Sequence, residues 1–492
     1  MKNVFSPHSA VTPKPNTPNP AHMAEKLLRE KPEQFWNKSG EKIALNIFKS
    51  ASKRVPAYKN FLKKNKVNPD KIKTITDLSS IPHTDKQNYI QSYELKDRCW
   101  DGKLDNIKLI ASSSGTKGVP SYWPRSQEQE NEAVLTHELL FRNLFAIEKH
   151  STLVIIGFPM GVYVSGIATT LPVWQLINKY NASVICPGNN KQEFLKAVKN
   201  LGQNFKQLIL VGHPFFLKDV IETGKLEGIK WKNYHLNLMF CSEGFSEEWR
   251  EYIIQEAGGK NCRAFNTYGS SEMLLMAYET PDSVGLKKKI ESLGFEKKLL
   301  NSTELFNFFQ YNPALRYIEE ENSELLFTSN SGIPLVRFNL HDKGRIVKQQ
   351  QILDFFPAHK PNWNLPYIAL FGRSDYAIVF YAANIYPQHI HKALSKKIFL
   401  KEITGKFSMT KGYLKNLDEF LEINIELRAH STASGALIKK IQQEVVRELK
   451  YLNSEYKFLT ENLQKDLTPK IKLWPYSHEK YFKPGLKPKY IQ

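Results

Sequence analysis

Apolar and polar positions follow two rhythms along this chain, and the change from one to the other outlines its architecture. Over residues 41–64, Leu45, Phe48, Val55 and Phe61 recur near helical spacing, with Pro56 as a break. In the stretch 78–90, Thr84 or Asp85 is placed to cap a following helix. Short apolar runs then alternate with helical stretches. Residues 153–158, 183–186, 208–211 and 236–240 predict buried strands, and 192–201 and Glu247–Glu256 predict helices. Such alternation predicts an α/β domain with a largely parallel sheet. Residues 325–328, 335–340 and 345–347 follow as strands with no long helix between them, which predicts a β-rich subdomain.

The last part of the chain has its own pattern. Glu419–Leu427 alternates as a strand and Lys470–Trp474 reads as another. Residues 435–463 are helical in period, with Ile438, Ile441, Val445, Leu449 and Leu452 on one face. This predicts a small α+β domain at 376–492, after a large domain at 23–375. Residues 1–22, rich in Pro and polar side chains, read as a disordered tail.

Composition narrows the function classes. The 492 residues, 41% apolar and 24% charged, suit a multidomain globular protein. No run of about 18 apolar residues occurs, and the N-terminus lacks a signal-peptide core, so a cytoplasmic protein without a membrane span is expected. Cys99, Cys186, Cys241 and Cys262 form no CxxC pair, which argues against a disulfide framework or structural zinc. The net charge of +20 favours anionic ligands. In sequence the basic residues are scattered in short runs, such as Lys287–Lys289, and read as solvated helix ends. A nucleic-acid-binding module would show clustered basic residues with stacking aromatics, and the sequence has neither.

Four stretches carry candidate chemistry. From Ile107, an apolar strand runs into Ser112, Ser113, Ser114, Gly115, Thr116, Lys117 and Gly118. Glycines bare the backbone N–H groups and hydroxyls add donors, a combination suited to phosphate oxygens, although no Walker spacing is present. The second stretch runs from Phe265 to Glu272 through Tyr268, Gly269 and Ser270. Glu272 is a hard ligand suited to Mg2+, and Tyr268 offers a flat face to a purine. The third places Asp342 at a strand end, where a carboxylate can accept from a ribose diol or simply make a turn. The fourth, Gly372-Arg-Ser-Asp375, lies at the domain boundary, with Arg373 able to reach a phosphate or ribose.

In order and content these stretches resemble the adenylate-forming superfamily, on its phenylacetate–CoA ligase-like branch. Three further segments support that branch: Ala51 to Lys59 (a "VPxY" helix), Leu78 to Lys86 ("LxxLPxTxK") and Cys241 to Arg250 (like "GAEPWT"). The resemblance covers about residues 42–492. It implies activation of a carboxylic acid by ATP and Mg2+ to an acyl-adenylate, with coenzyme A as the default acceptor. A protein thiol, an amine or a cell-surface polymer sugar is the alternative acceptor. The resemblance assigns Ser113, Ser114, Gly115, Thr116 and Gly118 to the triphosphate. It assigns Tyr268 and the backbone near Glu243 and Gly244 to adenine, with Gly269 and Ser270 beside them. Glu272 falls to Mg2+, Asp342 and Arg373 to the ribose, and Asp375 to the hinge of a mobile C-terminal domain. Lys487, with Lys489 second, is the expected catalytic lysine. Phe158, Tyr163 and Val164 match the acid tunnel, or are core residues. Two departures stand out. Val119 replaces the usual lysine of the phosphate loop, and Tyr381 and Ala382 replace the usual Arg and Gly after the hinge, where Ala382 narrows the path of the thiol arm.

Overall fold

The strands Thr152–Ile156, Gln207–Gly212 and Leu236–Cys241 are apolar at nearly every position, so both of their faces need cover. In the computed structural model, which describes residues 19–105, 107–112, 121–373, 378–381, 383–414, 418–462, 466–482 and 490–491, helices supply it on each side. Leu153, Ile155, Leu208, Leu210 and Leu236 point one way, against Lys191–Leu201, Pro214–Leu226 and Glu247–Glu256. Val154, Ile156, Ile209, Val211 and Met239 point the other way, against Pro20–Glu30, Gln127–Phe145 and Val164–Ile177. The period-two alternation of a strand sorts them.

These strands belong to one sheet of eleven. Its order is 317–321, 324–329, 335–347, 367–373, 307–310, 274–278, 262–270, 236–241, 207–212, 152–156 and 182–185. The last five of that order pair in parallel, as the strand–helix alternation predicts. The rest are antiparallel, so the β-rich portion is joined edge to edge to the parallel half. The strands expected at 335–340 and 345–347 are a single strand, Leu335–Val347. A register shift between Lys343 and Gly344 lets it continue along its neighbour. Helices Glu33–Arg54 and Pro56–Lys64 cover this half, burying Phe48, Val55 and Phe61 against Ile318, Phe327 and Phe338. The first helix starts at Pro20, inside the stretch read as a tail, because Asn19 caps it and Ala21 and Leu28 are buried.

The C-terminal part has its own core from Ile378 onward. Strands Ile403–Tyr413 and Glu419–Leu427 pair antiparallel, and Lys470–Trp474 adds in parallel. The single helix expected over 435–463 is two, Gly435–Leu452 and Ser454–Asn462. Asn453 turns extended between them and its side chain accepts from the Tyr456 amide at 2.8 Å, capping the second. The two parts meet through buried charge. Lys218 lies 2.8 Å from Glu222 and donates to the Ile403 carbonyl, while Arg428 reaches Glu222 at 3.1 Å and Tyr252 at 2.9 Å.

Three histidines are packed away from water. Burial lowers His137 to about 4, His391 to about 4 and His389 to about 3. In the folded chain they stay neutral while the unfolded chain, near 6.5, takes up protons. Their contribution is therefore complete above about pH 6.5 and is lost as pH falls through about 4. Unfolding free energies from denaturant titrations at pH 7.5 down to 4.5 are expected to decline across that window, on the order of several kcal/mol in all. A flat profile contradicts it.

Candidate active site

Parallel strands leave their carboxyl ends open to ligands, above all where the strand order reverses. Here the reversal flanks Thr152–Ile156, and the segments after that strand, after Gln207–Gly212 and after Leu236–Cys241 line the crevice. They carry Phe158, His213 and Glu243. Phe158 is buried with its ring 5.1 Å from that of His213, whose Nδ1 lies 3.3 Å from the Cys241 carbonyl. Ser242 holds a φ of 83°, an uncommon conformation for a residue with a Cβ, and it turns the chain sharply into Glu243. Gly244 follows, and any Cβ there would lie 2.4 Å from the Asn307 amide nitrogen and push that side chain aside. Asn266 holds this loop from below, donating to the Glu243 carbonyl at 3.0 Å and to Asn307 at 3.3 Å.

Tyr268, Gly269 and Ser270 close the strand Cys262–Ser270. The Tyr268 ring is buried beside Phe309 and Phe327, with Phe309 stacked at 6.0 Å. The site therefore receives its hydroxyl, which donates to Asp342, rather than the open ring face expected for a purine. Burial, then the Asp342 carboxylate, hold this phenol well above its ordinary pKa, so it stays a donor. Asp342 itself lies within Leu335–Val347 rather than at a strand end, directly opposite Arg373 in the register, with Arg373 Nε 4.0 Å from its carboxylate. Thus Tyr268, Asp342 and Arg373 come together from three strands.

Glu272 sits in the turn after Ser270 and is 4% exposed. Burial pushes its carboxyl up, but the Lys86 ammonium, 2.9 Å away, and hydrogen bonds outweigh it and leave the group below its usual value. Lys86 is aimed there by the segment before it. Thr84 bridges Phe338, donates from its amide to Arg337 and accepts from Asn339, so 81–86 lies along the strand as an added edge. Asp85 then caps a short π-helix, Lys86–Ile90, as the sequence led one to expect, its side chain taking the Gln87 and Asn88 amides at 2.7 Å.

The C-terminal part reaches the same place. Tyr490 donates to the Glu243 carboxylate at 2.7 Å, while its backbone carbonyl accepts from Met409 and its ring packs 5.0 Å from Phe407. Gly372 holds a φ of 125°, a conformation that L side chains rarely adopt, with the Gln388 side chain packed against it. Val164 is buried beside Phe158's loop, and Tyr163 is 40% exposed. Ser113, Ser114, Gly115, Thr116, Gly118, Asp375, Ala382, Lys487 and Lys489 lie outside the described residues. The sequence reasoning missed four residues at this site. Lys86 was legible only as the end of its motif, Tyr490 lay beside the lysines that were considered, His213 follows a strand and precedes Pro214, and Asn307 had no signal.

No family model matches the chain. Phenylacetate-coenzyme A ligase of Escherichia coli (strain K12) is 21% identical over 396 residues, 78% of this chain and 80% of that protein. The ligase of the same name from Aromatoleum evansii is 20% identical over 442 residues, 87% of this chain and 91% of that protein. A solved 2-hydroxyisobutyryl-CoA ligase in the postadenylation state has the same fold, with a TM-score of 0.70 at 14% identity over 97% of this chain and 94% of that one. An acyl acid amido synthetase in complex with 2,4-DB also shares it, with a TM-score of 0.59 at 14% identity over 93% and 89%. The chain thus shares its fold with an acid–CoA ligase and an acyl acid amido synthetase, and its sequence is similar to those of phenylacetate-coenzyme A ligases.

The Tyr268 hydroxyl is the donor that pairs the buried Asp342 carboxylate. Tyr268→Phe is expected to cost about 1.5–3 kcal/mol of stability, the worth of a hydrogen bond to a charged group, and to weaken ATP binding. Denaturant unfolding and titration calorimetry check both; an unchanged midpoint would mean that this bond does not hold Asp342.

Proposed function

We propose that this protein activates a carboxylic acid with ATP. The acid's carboxylate oxygen attacks the α-phosphorus, the bond to the bridging α–β oxygen breaks, and pyrophosphate leaves with that oxygen. The product is an acyl-adenylate. In the second step a thiol, that of coenzyme A by default, loses its proton and attacks the acyl carbon, and AMP departs. The observation that carries this reading is the convergence of Tyr268, Asp342, Arg373 and Glu272 at one end of the sheet, beside the Glu243 loop.

Each group has a role in that reading. Asp342, opposite Arg373, accepts from the ribose hydroxyls. The backbone from Glu243 to Gly244 takes the adenine edge, with Gly269 and Ser270 beside it. Ser113, Ser114, Gly115, Thr116 and Gly118 donate to the phosphates, and Lys487 or Lys489 steadies the attacking carboxylate. Tyr490, only one residue beyond Lys489, contacts Glu243, which supports the tail as the source of that lysine. Phe158, Tyr163, Val164 and His213 border the acid. Asp375, three residues after Gly372 in sequence, serves as the hinge on which the C-terminal part would pivot.

The residues present fit Mg2+. Beside phosphates it takes one or two carboxylates and fills its shell with phosphate oxygens and water, and Glu272 is one buried carboxylate. Among the described residues no cluster of three His, Cys, Asp or Glu offers a fuller cage. Held there, Mg2+ supplies neutralisation of the triphosphate charge. Catalysis is otherwise positioning and electrostatics. The cytoplasm, rich in ATP and coenzyme A, suits this chemistry. Among the described residues no helix is long and apolar enough to cross a membrane.

A screen of aryl and aliphatic acids with Mg-ATP, run with and without coenzyme A, tests the proposal. Acid-dependent pyrophosphate release supports it. Release of AMP that depends on coenzyme A supports the thiol acceptor, and adenylate that persists with coenzyme A favours an amine or other acceptor, the reading that Ala382 motivates. No release with any acid counts against adenylation. In a protein active in that screen, Glu272→Gln is expected to abolish release while the circular dichroism spectrum stays unchanged. Full activity in that variant contradicts the metal assignment.

A further inference from the structure

The positive charge is not spread evenly along the chain. Residues 19–74 contain fourteen Lys or Arg against five Asp or Glu, so this short stretch holds +9 of the net +20. The helix Glu33–Arg54 buries Trp36, Gly40, Ala44, Ile47, Phe48 and Ala51. Its opposite face, at steps of three and four, carries Phe35, Lys38, Lys42, Asn46, Lys49 and Lys53, all exposed. The four lysines run along about 22 Å of helix at 1.5 Å per residue. Among the described residues, the ion pairs of the first three helices are Lys26 to Glu30, Glu25 to Arg142 and Arg54 to Asp101, none of which involves these four lysines. Lys59, Lys63 and Lys66, also exposed, extend the positive charge beyond the end of the helix.

A row of uncompensated lysines on a solvated helix repels itself, and its cost falls when a polyanion covers it. Large apolar side chains are mixed into the row. Phe35 is 42% exposed within it, Ile43 38% at its flank, and the preceding helix adds Met23 at 53% and Leu27 at 38%. Lysine charge combined with exposed apolar groups matches a bilayer interface, where phosphates take the ammonium groups and the acyl boundary takes the apolar ones. A nucleic acid fits less well. The arginine nearest the row, Arg54, is engaged on Asp101 through two hydrogen bonds, and the Lys31 ammonium lies 5.6 Å over the Phe35 ring, on the face a base would stack on.

We infer that the face formed by the helix Glu33–Arg54 and its neighbours docks on a bilayer surface carrying anionic phospholipid. Such contact would bring the enzyme to acids that partition into membranes. Co-sedimentation of the full chain with phosphatidylcholine vesicles, with and without phosphatidylglycerol, tests it. Binding is expected only with phosphatidylglycerol, weakening as salt rises. Replacing Lys38, Lys42, Lys49 and Lys53 together by Gln is expected to cut partitioning more than roughly a hundredfold, since each lysine near such a surface is worth about fivefold. Lys439→Gln with Lys440→Gln, exposed on a different helix, is expected to leave it within about twofold, far less than loss of interfacial lysines would cause. Phe35→Ser is expected to remove the binding that survives high salt. The thermal midpoint of the quadruple variant checks that it remains folded. Equal binding to both vesicle types, full binding by the folded quadruple variant, or affinity for duplex DNA without vesicle binding would overturn the inference.

Discussion

A carboxylate taken out of water needs a cation or donors around it, and at this site that requirement fixes much of the geometry. Glu272 is matched by Lys86, and Asp342 by the Tyr268 hydroxyl with Arg373 opposite. Each match ties together chain segments far apart in sequence. Lys86 reaches Glu272 only because Thr84 is bonded along Leu335–Val347, the strand that also carries Asp342. One strand thus carries Asp342 and aims the cation that pairs with Glu272. The Lys86 ammonium holds the Glu272 carboxyl below its usual value despite its burial.

The second constraint is the cover on the parallel half. Helices bury both faces of its strands, so only the strand ends can meet a ligand. The Glu243 loop, His213 and Phe158 all lie at those ends, and the C-terminal part contributes Tyr490 from the other side. A site assembled from two cores in this way depends on how they meet. The buried Lys218, Glu222 and Arg428 group is where that meeting is most specific, because Arg428 loses its carboxylate partner if the two parts separate, while Lys218 and Glu222 stay paired on one helix.

Much of this architecture was legible in the sequence. Glu247–Glu256, Glu419–Leu427 and Lys470–Trp474 appear with the bounds their periodicity predicts. Long, strongly periodic segments announce themselves because one face is buried. The misses have physical causes. Asn453 interrupts a helical pattern through its own capping side chain, which apolar periodicity does not register. Residues 341–344 read as a break because polar Asp342 and Lys343 are drawn into the sheet by partners from other strands. The Tyr268 ring was expected against a purine, but Phe309 and Phe327, distant in sequence, enclose it. The basic face was invisible for a related reason. Lysines at 38, 42, 49 and 53 share a side of a helix in any reading, and only packing reveals that this side stays in water beside an exposed Phe35.

The central claim is that the acid's own oxygen attacks the α-phosphorus of ATP. The most direct measurement supplies a substrate acid with both carboxyl oxygens labelled as 18O and follows the label by mass spectrometry after turnover to thioester or amide. The account predicts one labelled oxygen in AMP, unlabelled pyrophosphate, and the other oxygen retained in the acyl product. Label in inorganic phosphate with ADP formed, or AMP carrying no label, would contradict it.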